Sequence, residues 1–300
     1  MKRVLVTGAH GFTAQYLLPR LIELGSEIHG LARPGVAGVP MPPEVTEHVV
    51  DLTDLDALTE LVGKVRPDVV IHLAGISFVA HSNVREIYDS NLVGSRNLLQ
   101  ALVDANCDPS AVLLASSANV YGNQRQGVLT EETPPQPVND YGISKLAMEF
   151  AAGLFVDRLP IIIVRPFNYT GVGQSMDFVI PKIVDHVRRR ASTIQLGNLD
   201  VERDFSDVRG VVDCYLRLIE SPQAIGRTFN VCSGRGYTLN EVIELVQRLS
   251  GHSMTIETNP SFVRGNEVKT LYGDNQRLIS VIGDLGMPSL EATLKWMIEA

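Results

Sequence analysis

Tyr141 and Lys145 stand four residues apart in the segment Tyr141-Gly142-Ile143-Ser144-Lys145. On a helix, positions i and i+4 share a face, so the ammonium lies beside the phenol. A cation there favours the phenolate and is expected to lower the tyrosine pKa from its ordinary value of about 10. A tyrosine so placed is an acid or base usable near neutral pH. The spacing alone is also what helix packing produces, and its position gives it weight. One strand and one loop earlier runs Ser116-Ser117-Ala118-Asn119-Val120-Tyr121-Gly122. A serine at the carboxyl end of a parallel strand lies on the ligand side of such sheets, where it can hydrogen-bond a carbonyl oxygen.

A second motif supplies a place for an anion. Thr7-Gly8-Ala9-His10-Gly11-Phe12-Thr13-Ala14 follows the first strand-like run and opens the first helical one. Helix N-termini carry unpaired N–H groups and partial positive charge, which suits a pyrophosphate. Gly8 permits the turn and Gly11 lets the phosphate reach the backbone; Ala14 stands where a third glycine is usual. With Phe12 and Thr13 these form a dinucleotide-binding candidate, because the pattern opens a βαβ unit. The second strand ends Gly30-Leu31-Ala32-Arg33, with no acid for a ribose. Arg33 suits a 2′-phosphate, so NADP(H) is favoured, with NAD(H) as the alternative and a solvated surface arginine as the plain reading. Asp51 and Leu52 follow the third strand and face an adenine in this arrangement. Leu73, Ala74 and Gly75 end the fourth, where small residues let a cofactor pass close.

These residues need a scaffold. Apolar runs at 3–7, 27–31, 45–50, 68–74, 111–116 and 160–164 alternate with helical periodicity through Tyr16, Leu17, Leu21 and Leu24 and at 55–65, 86–105 and 140–157. That alternation predicts an α/β fold, a Rossmann-type doubly wound parallel sheet covered on both faces. After Arg165 the pattern loosens. Helices are expected at 208–220, 239–249 and 291–298, with strands at 228–231 and 254–257. We expect residues 1–166, with returning segments near 205–232, to form the dinucleotide domain. Residues 167–204 and 233–300 then form a smaller C-terminal α/β substrate-binding lobe.

The 300 residues carry a formal net charge of −8, which argues against a nucleic-acid binder. Cys107, Cys214 and Cys232 show no CxxC or metal-ligand spacing, so no metal is expected; buried free thiols in a reducing compartment are. His72, His81 and His186 have no catalytic spacing and are read as structural. The short, glycine-broken N-terminal apolar run reads as a strand rather than a signal peptide. No stretch approaches the roughly 18 apolar residues of a membrane span. The expectation is a cytoplasmic protein with no membrane partner.

Taken in order, TGxxGFxA, the HLAG strand end, Asn91 in NLVGSRNLL, SSANVYG, YGISK and RPFN resemble the extended short-chain dehydrogenases/reductases over nearly the whole chain. The resemblance implies Ser117, Tyr141 and Lys145 as the catalytic triad, Asn91 as a cofactor-side residue, and a homodimer packed through the helices near 86–105 and 141–155. Within that family, dehydratases place acids in the two positions before VYG; here these are Ala118 and Asn119, so dehydration is disfavoured. Residues 167–175 (FNYTGVGQS) are similar to the FNHxGPGQS stretch of GDP-4-keto-6-deoxy-D-mannose reductases, with Tyr169 and Val172 as departures. GNLD at 197–200, Arg203-Asp204-Phe205 and Arg264 with Glu267 continue the likeness. It implies a GDP-sugar substrate, reduced at C4 to GDP-D-rhamnose or its C4 epimer GDP-6-deoxy-D-talose. Arg203 and Arg264 are the diphosphate candidates, and Glu267 a ribose acceptor. Asn168, Val179, Lys182 and Asn198 complete the candidate sugar-nucleotide site. Surface salt bridges remain the ordinary alternative for the cations. A nucleotide-sugar 4-epimerase, a GDP-mannose 4,6-dehydratase and a non-catalytic NADPH-sensing protein are the competing readings.

Overall fold

The computed structural model describes residues 1–35, 38–77, 83–123, 127–262 and 268–300. Its centre is a sheet of seven parallel strands. These are β1 (Arg3–Thr7), β2 (Glu27–Ala32), β3 (Val45–Val49), β4 (Val69–His72), β5 (Ala111–Ala115), β6 (Ile161–Pro166) and, far along the chain, β10 (Thr228–Val231). Their order is β10-β6-β5-β4-β1-β2-β3. Strands β1, β4 and β5 are almost wholly buried because helices cover both faces, which is why they read as unbroken apolar runs. At the edge, β3 exposes Thr46, Glu47 and Val49, and the charge discourages further strand addition.

Helices α1 (Phe12–Glu23) and α7 (Val208–Ile219) bury Leu17, Leu18, Leu21, Val211 and Tyr215 against one face. On the other face lie α2 (Leu55–Val65), α4 (Ser95–Asp104) and α5 (Asp140–Gly153), through Leu58, Leu98, Leu102 and Met148. The chain reverses sheet direction between β1 and its two neighbours β2 and β4. Doubly wound sheets hold their ligands at such a reversal, outside the carboxyl ends of the strands. Thr7, His72, Ala115 and Pro166 all end at this edge.

Two helical expectations change in detail. The helix expected over 86–105 is instead α3 (Val84–Tyr88), a π-helical stretch Asp89–Gly94, and α4. Such widened turns recur at functional sites, and this one carries Asn91. Helix α5 ends at Gly153, short of the expected residue 157.

Beyond β6 the chain builds small pieces. These are β7 (Asn168–Thr170), α6 (Val179–Arg188), β8 (Thr193–Leu196), β9 (Glu202–Asp207), β11 (Gly236–Thr238), α8 (Leu239–Ser250), β12 (Thr255–Thr258), β13 (Thr270–Leu271), α9 (Gln276–Ile282) and α10 (Leu290–Glu299). Strands β11, β9 and β13 form one small sheet, with β7 paired to β9, and β12 pairs with β8. Ile183, Val184, Val242, Val246 and Leu294 make a separate core under them. Asp204 pins this region: its buried carboxylate accepts from the backbone N–H groups of Ser233 (2.9 Å), Gly234 (2.8 Å) and Arg235 (3.2 Å). All three cysteines are free and buried. Among the described residues no helix is long and apolar enough to cross a membrane, and no His/Cys/Asp/Glu cluster fits a metal.

Candidate active site

The edge of the sheet is held by a directional hydrogen-bond chain centred on His72, which is fully buried. Ser95 donates to the Asn91 carbonyl (2.7 Å), so its oxygen accepts from His72 Nε2 (2.8 Å). That leaves His72 Nδ1 as acceptor for the Thr7 hydroxyl (2.6 Å), whose oxygen in turn accepts from Ala74 N–H (3.2 Å). One neutral tautomer satisfies every group. Burial pushes the imidazole pKa down to about 3, with Lys145 adding to the effect. His72 is structural, as its spacing suggests.

This chain sets the dinucleotide cradle. Gly8 has φ +70, and a Cβ there would lie 2.7 Å from Ala74 N. Only glycine lets the β1 turn pass so close to the β4 end. Helix α1 opens at Gly11 with no side-chain cap and no acid in its first turn. Its first N–H groups therefore lack intrahelical partners and face the cradle. A nicotinamide dinucleotide fits these donors. Phe12 stacks on Tyr169 (6.1 Å between centroids), and the Thr13 hydroxyl lies 2.8 Å from Tyr169 Oη, so the cradle is tied to the segment after β6. Leu73, Ala74 and Gly75 run alongside. Asn91 clamps this strand end, accepting from Ile76 N–H (2.8 Å) and donating to the Ile76 carbonyl (3.1 Å) and to Ser144 Oγ (3.0 Å). A Cβ at Gly75 would meet Asn91 Oδ1 at 2.8 Å and Lys145 Nζ at 3.1 Å. Gly75, Asn91 and Lys145 thus converge.

At the far end of the cradle, Arg33 is about half exposed. It donates to Glu86 (2.8 Å) and lies 3.8 Å from Asp51. Asp51 also accepts from the Thr53 backbone (2.8 Å), and that bond, with the Thr53 hydroxyl and Arg33, holds its carboxyl below the ordinary range. The Leu52 carbonyl accepts from Asn97 (3.1 Å).

Tyr141, Lys145 and Ser117 meet where α5 crosses the end of β5. Asn139 caps α5 by accepting from Gly142 N–H (2.8 Å), which fixes where the Tyr141 turn begins. Tyr141 is 7% exposed and Lys145 4%. Lys145 Nζ donates to the Ala115 carbonyl (2.8 Å) at the strand end. Burial pushes its pKa down to about 8, against the opposing pull of Glu149 one turn along. The phenol departs from expectation. Burial pushes Tyr141 up to about 12, and the hydrogen bond from Ser117 offsets this only in part. Desolvation of a would-be phenolate dominates, so Tyr141 rests as a neutral acid. Ser117 Oγ accepts from Asn119 N–H (3.1 Å) and from Asn119 Nδ2 (3.2 Å).

Beneath the pair lies a buried network that spacing did not reveal. Glu149 makes a two-pronged ion pair with Arg165 (2.9 and 2.6 Å) and accepts from Ser116 (2.5 Å). Arg165 also donates to Tyr121 Oη (3.0 Å), which donates to Asn230 (2.6 Å). The one available signal was Glu149 at i+4 from Lys145, on the same helical face.

The substrate-side candidates separate into groups. Val179 opens α6, and Lys182 one turn later donates to the Gln195 carbonyl (2.8 Å) and sits 4.2 Å from the Phe262 ring centroid. A Cβ at Gly197 would lie 2.2 Å from the Phe262 carbonyl, so Asn198, beside it, belongs to the same corner. Asn168 is exposed at the start of β7. Arg203, on β9, donates to the carbonyls of Glu202 (2.9 Å), Lys269 (3.2 Å) and Val268 (2.5 Å), which fastens it to the chain that follows 263–267. Arg264 and Glu267, like His81, lie outside the described residues.

The chain is similar to known proteins over nearly its whole length. A GDP-6-deoxy-D-talose 4-dehydrogenase from Aggregatibacter actinomycetemcomitans is 35% identical over 297 residues, covering 98% of this chain and 96% of its own. A GDP-6-deoxy-D-mannose reductase from Pseudomonas aeruginosa is 34% identical over 294 residues, covering 94% and 91%. The solved structure of RMD from Pseudomonas aeruginosa, complexed with NADPH, superposes with a TM-score of 0.84 at 32% identity over 100% of this chain and 98% of that one. A structure from Burkholderia cenocepacia J2315 superposes at 0.92 with 49% identity over 99% and 97%. Residues 4–232, spanning the cradle, Ser117, Tyr141 and Lys145, match the model of one family. On that match and these relatives, the chain belongs to the NAD-dependent epimerase/dehydratase family.

Proposed function

We propose that the protein reduces the 4-keto group of GDP-4-keto-6-deoxy-D-mannose with NADPH, giving GDP-D-rhamnose. The observation that carries this reading is the buried, neutral Tyr141 phenol beside Ser117, with Ala118 and Asn119 where a dehydratase needs a carboxylate. A bound nicotinamide supplies the hydride. Ser117 hydrogen-bonds the C4 oxygen and polarises the carbonyl. Tyr141 gives its proton to the forming alkoxide. Lys145 holds the cofactor ribose and offsets the charge that develops on Tyr141. The two GDP-sugar relatives support the base assignment. Residues 1–166 with 205–232 form the dinucleotide domain in this reading; 167–204 and 233–300 form the sugar-nucleotide lobe, with Arg203, Arg264 and Lys182 toward the diphosphate and nucleotide, Asn168, Val179 and Asn198 lining the site, and Glu267 on the ribose.

Purified protein given the GDP-keto-sugar and NADPH is expected to consume nicotinamide absorbance stoichiometrically. Turnover of a UDP-sugar with none of any GDP-keto-sugar, or turnover without net cofactor oxidation, overturns the reading. A second product is favoured by a specific observation: Tyr169 and Val172 depart from the reductase pattern, and one relative is a GDP-6-deoxy-D-talose dehydrogenase. Proton NMR of the product separates the two C4 configurations.

NADP(H) is preferred through Arg33, the cation at the end of β2. Arg33→Ala is expected to raise KM for NADPH by about 10–100-fold, the worth of a charge-assisted contact, with little change for NADH. Equal effects on both cofactors would place the 2′-phosphate elsewhere.

The assembly is a homodimer. Ile143 and Phe150 on α5 and Leu154 just after it leave an apolar stripe, with Phe150 70% and Leu154 74% exposed, and Val93 is exposed on the neighbouring π-helical stretch. A patch of this kind marks an interface. Phe150→Lys is expected to convert a dimer to a monomer in light scattering; an unchanged mass would put the interface on another face.

A further inference from the structure

We propose that Asn119 is a positioning residue that makes Ser117 an obligate hydrogen-bond donor, an inference that rests on the Ser117–Tyr141 reading above. Ser117 has an extended backbone and caps the short 3-10 turn Ala118–Tyr121. Its oxygen receives two hydrogen bonds, both from Asn119: the backbone N–H at 3.1 Å and the side-chain amide at 3.2 Å. A hydroxyl has two lone pairs and one proton. With both lone pairs occupied, Ser117 can only donate. Its neighbour is the Tyr141 hydroxyl, and with both serine lone pairs filled by Asn119 the bond between them runs from Ser117 to Tyr141.

The polarity of the whole chain is then fixed. Asn119 donates to Ser117, Ser117 donates to an oxygen, and the Tyr141 proton is left to point at the substrate. A serine free to rotate would spend time accepting from Tyr141. The Tyr141 proton would then point at the serine instead of at the carbonyl oxygen. The backbone bond belongs to the turn, and any residue at 119 supplies it. The amide bond belongs to asparagine. Other ionisable groups facing Tyr141 are Tyr169 from β7, Tyr215 from α7 and Lys145 along its own helix. None is a carboxylate that would draw the serine proton away.

A double-mutant cycle tests this, run with whichever nucleotide sugar the wild type turns over. A wrong GDP assignment therefore leaves it decidable. Asn119→Ala is expected to lower kcat by about 3–15-fold with KM nearly unchanged. In a Ser117→Ala background the same substitution is expected to change kcat by less than about twofold, because its partner is gone. Asn119→Asp gives the sharper readout. Its carboxylate only accepts, so it takes the serine proton and reverses the chain; the loss at about pH 8 exceeds that of Asn119→Ala and is partly regained toward about pH 5, where a protonated carboxyl can donate. A merely structural asparagine would not produce that recovery. Independent of turnover, the Tyr141 phenol is followed by ultraviolet pH-jump titration, as the difference between each protein and its Tyr141→Phe form. It is expected to move upward in Asn119→Ala. Equal losses in both serine backgrounds, a flat acid profile for Asn119→Asp, or an unmoved phenol would each overturn the proposal.

Discussion

Tyr141→Phe is expected to reduce kcat by about 10²–10⁴-fold, the usual worth of a positioned general acid. The phenyl ring keeps the packing of a residue that is 7% exposed, so folding and cofactor affinity should persist. The proton is what is lost. With its pKa pushed up to about 12, Tyr141 stays protonated throughout the working range. It is therefore a ready proton donor, as the proposed reduction requires, rather than a standing base. The alkaline limb of the rate must come from elsewhere, and Lys145 is the group placed to produce it. Burial pushes its pKa down to about 8, so the ammonium is present below that value and is lost as pH rises through it. The rate is expected to fall accordingly above about pH 8. Lys145→Arg, whose guanidinium does not deprotonate, should flatten that limb at a reduced rate. A limb that survives in the arginine variant would assign the titration to another group. A Tyr141→Phe rate within about tenfold of wild type would remove Tyr141 from the proton-donor role.

Glu149→Ala is expected to destabilise the protein by about 3–5 kcal/mol, measured by chemical denaturation. The carboxylate is buried and shares two hydrogen bonds with Arg165. Removing it strands a guanidinium that burial cannot neutralise, since arginine keeps its proton. Replacing both partners, as Glu149→Leu with Arg165→Met, should recover much of the loss, because no uncompensated charge then remains. The single variant has a kinetic signature as well. Glu149 supports the Lys145 ammonium from one turn away. Its removal is expected to move the alkaline limb to lower pH. A loss below about 1 kcal/mol would mean that water reaches the pair.

Residue type and spacing were enough to place the doubly wound sheet and the candidate residues at its edge. Strands buried on both faces are unbroken apolar runs, and the glycine turn, the strand-end serine and Tyr141 with Lys145 each carry a local signature. Their order along the chain implied that they share one edge, and the strand order places them there. The second lobe was less legible. Strand β9, with the sequence ERDFSD, lacks the apolar alternation that marks a strand, and β13, of two residues, lacks the length. They exist because long-range partners hold them, as the Asp204 carboxylate does through three distant N–H groups.

Helical periodicity and strand burial are local properties, so residue order was enough to put Tyr141 and Lys145 on one helical face near a glycine turn that opens a helix. The protonation states of those two groups follow from the packing around them. Proximity of a cation argued for a lowered phenol pKa, whereas enclosure raises it. Desolvation depends on everything packed around a group, and no spacing along the chain records it. The same holds for the buried Glu149–Arg165 pair and for the two donors that fill the lone pairs of Ser117. Which way a proton points is settled by which neighbours the fold supplies.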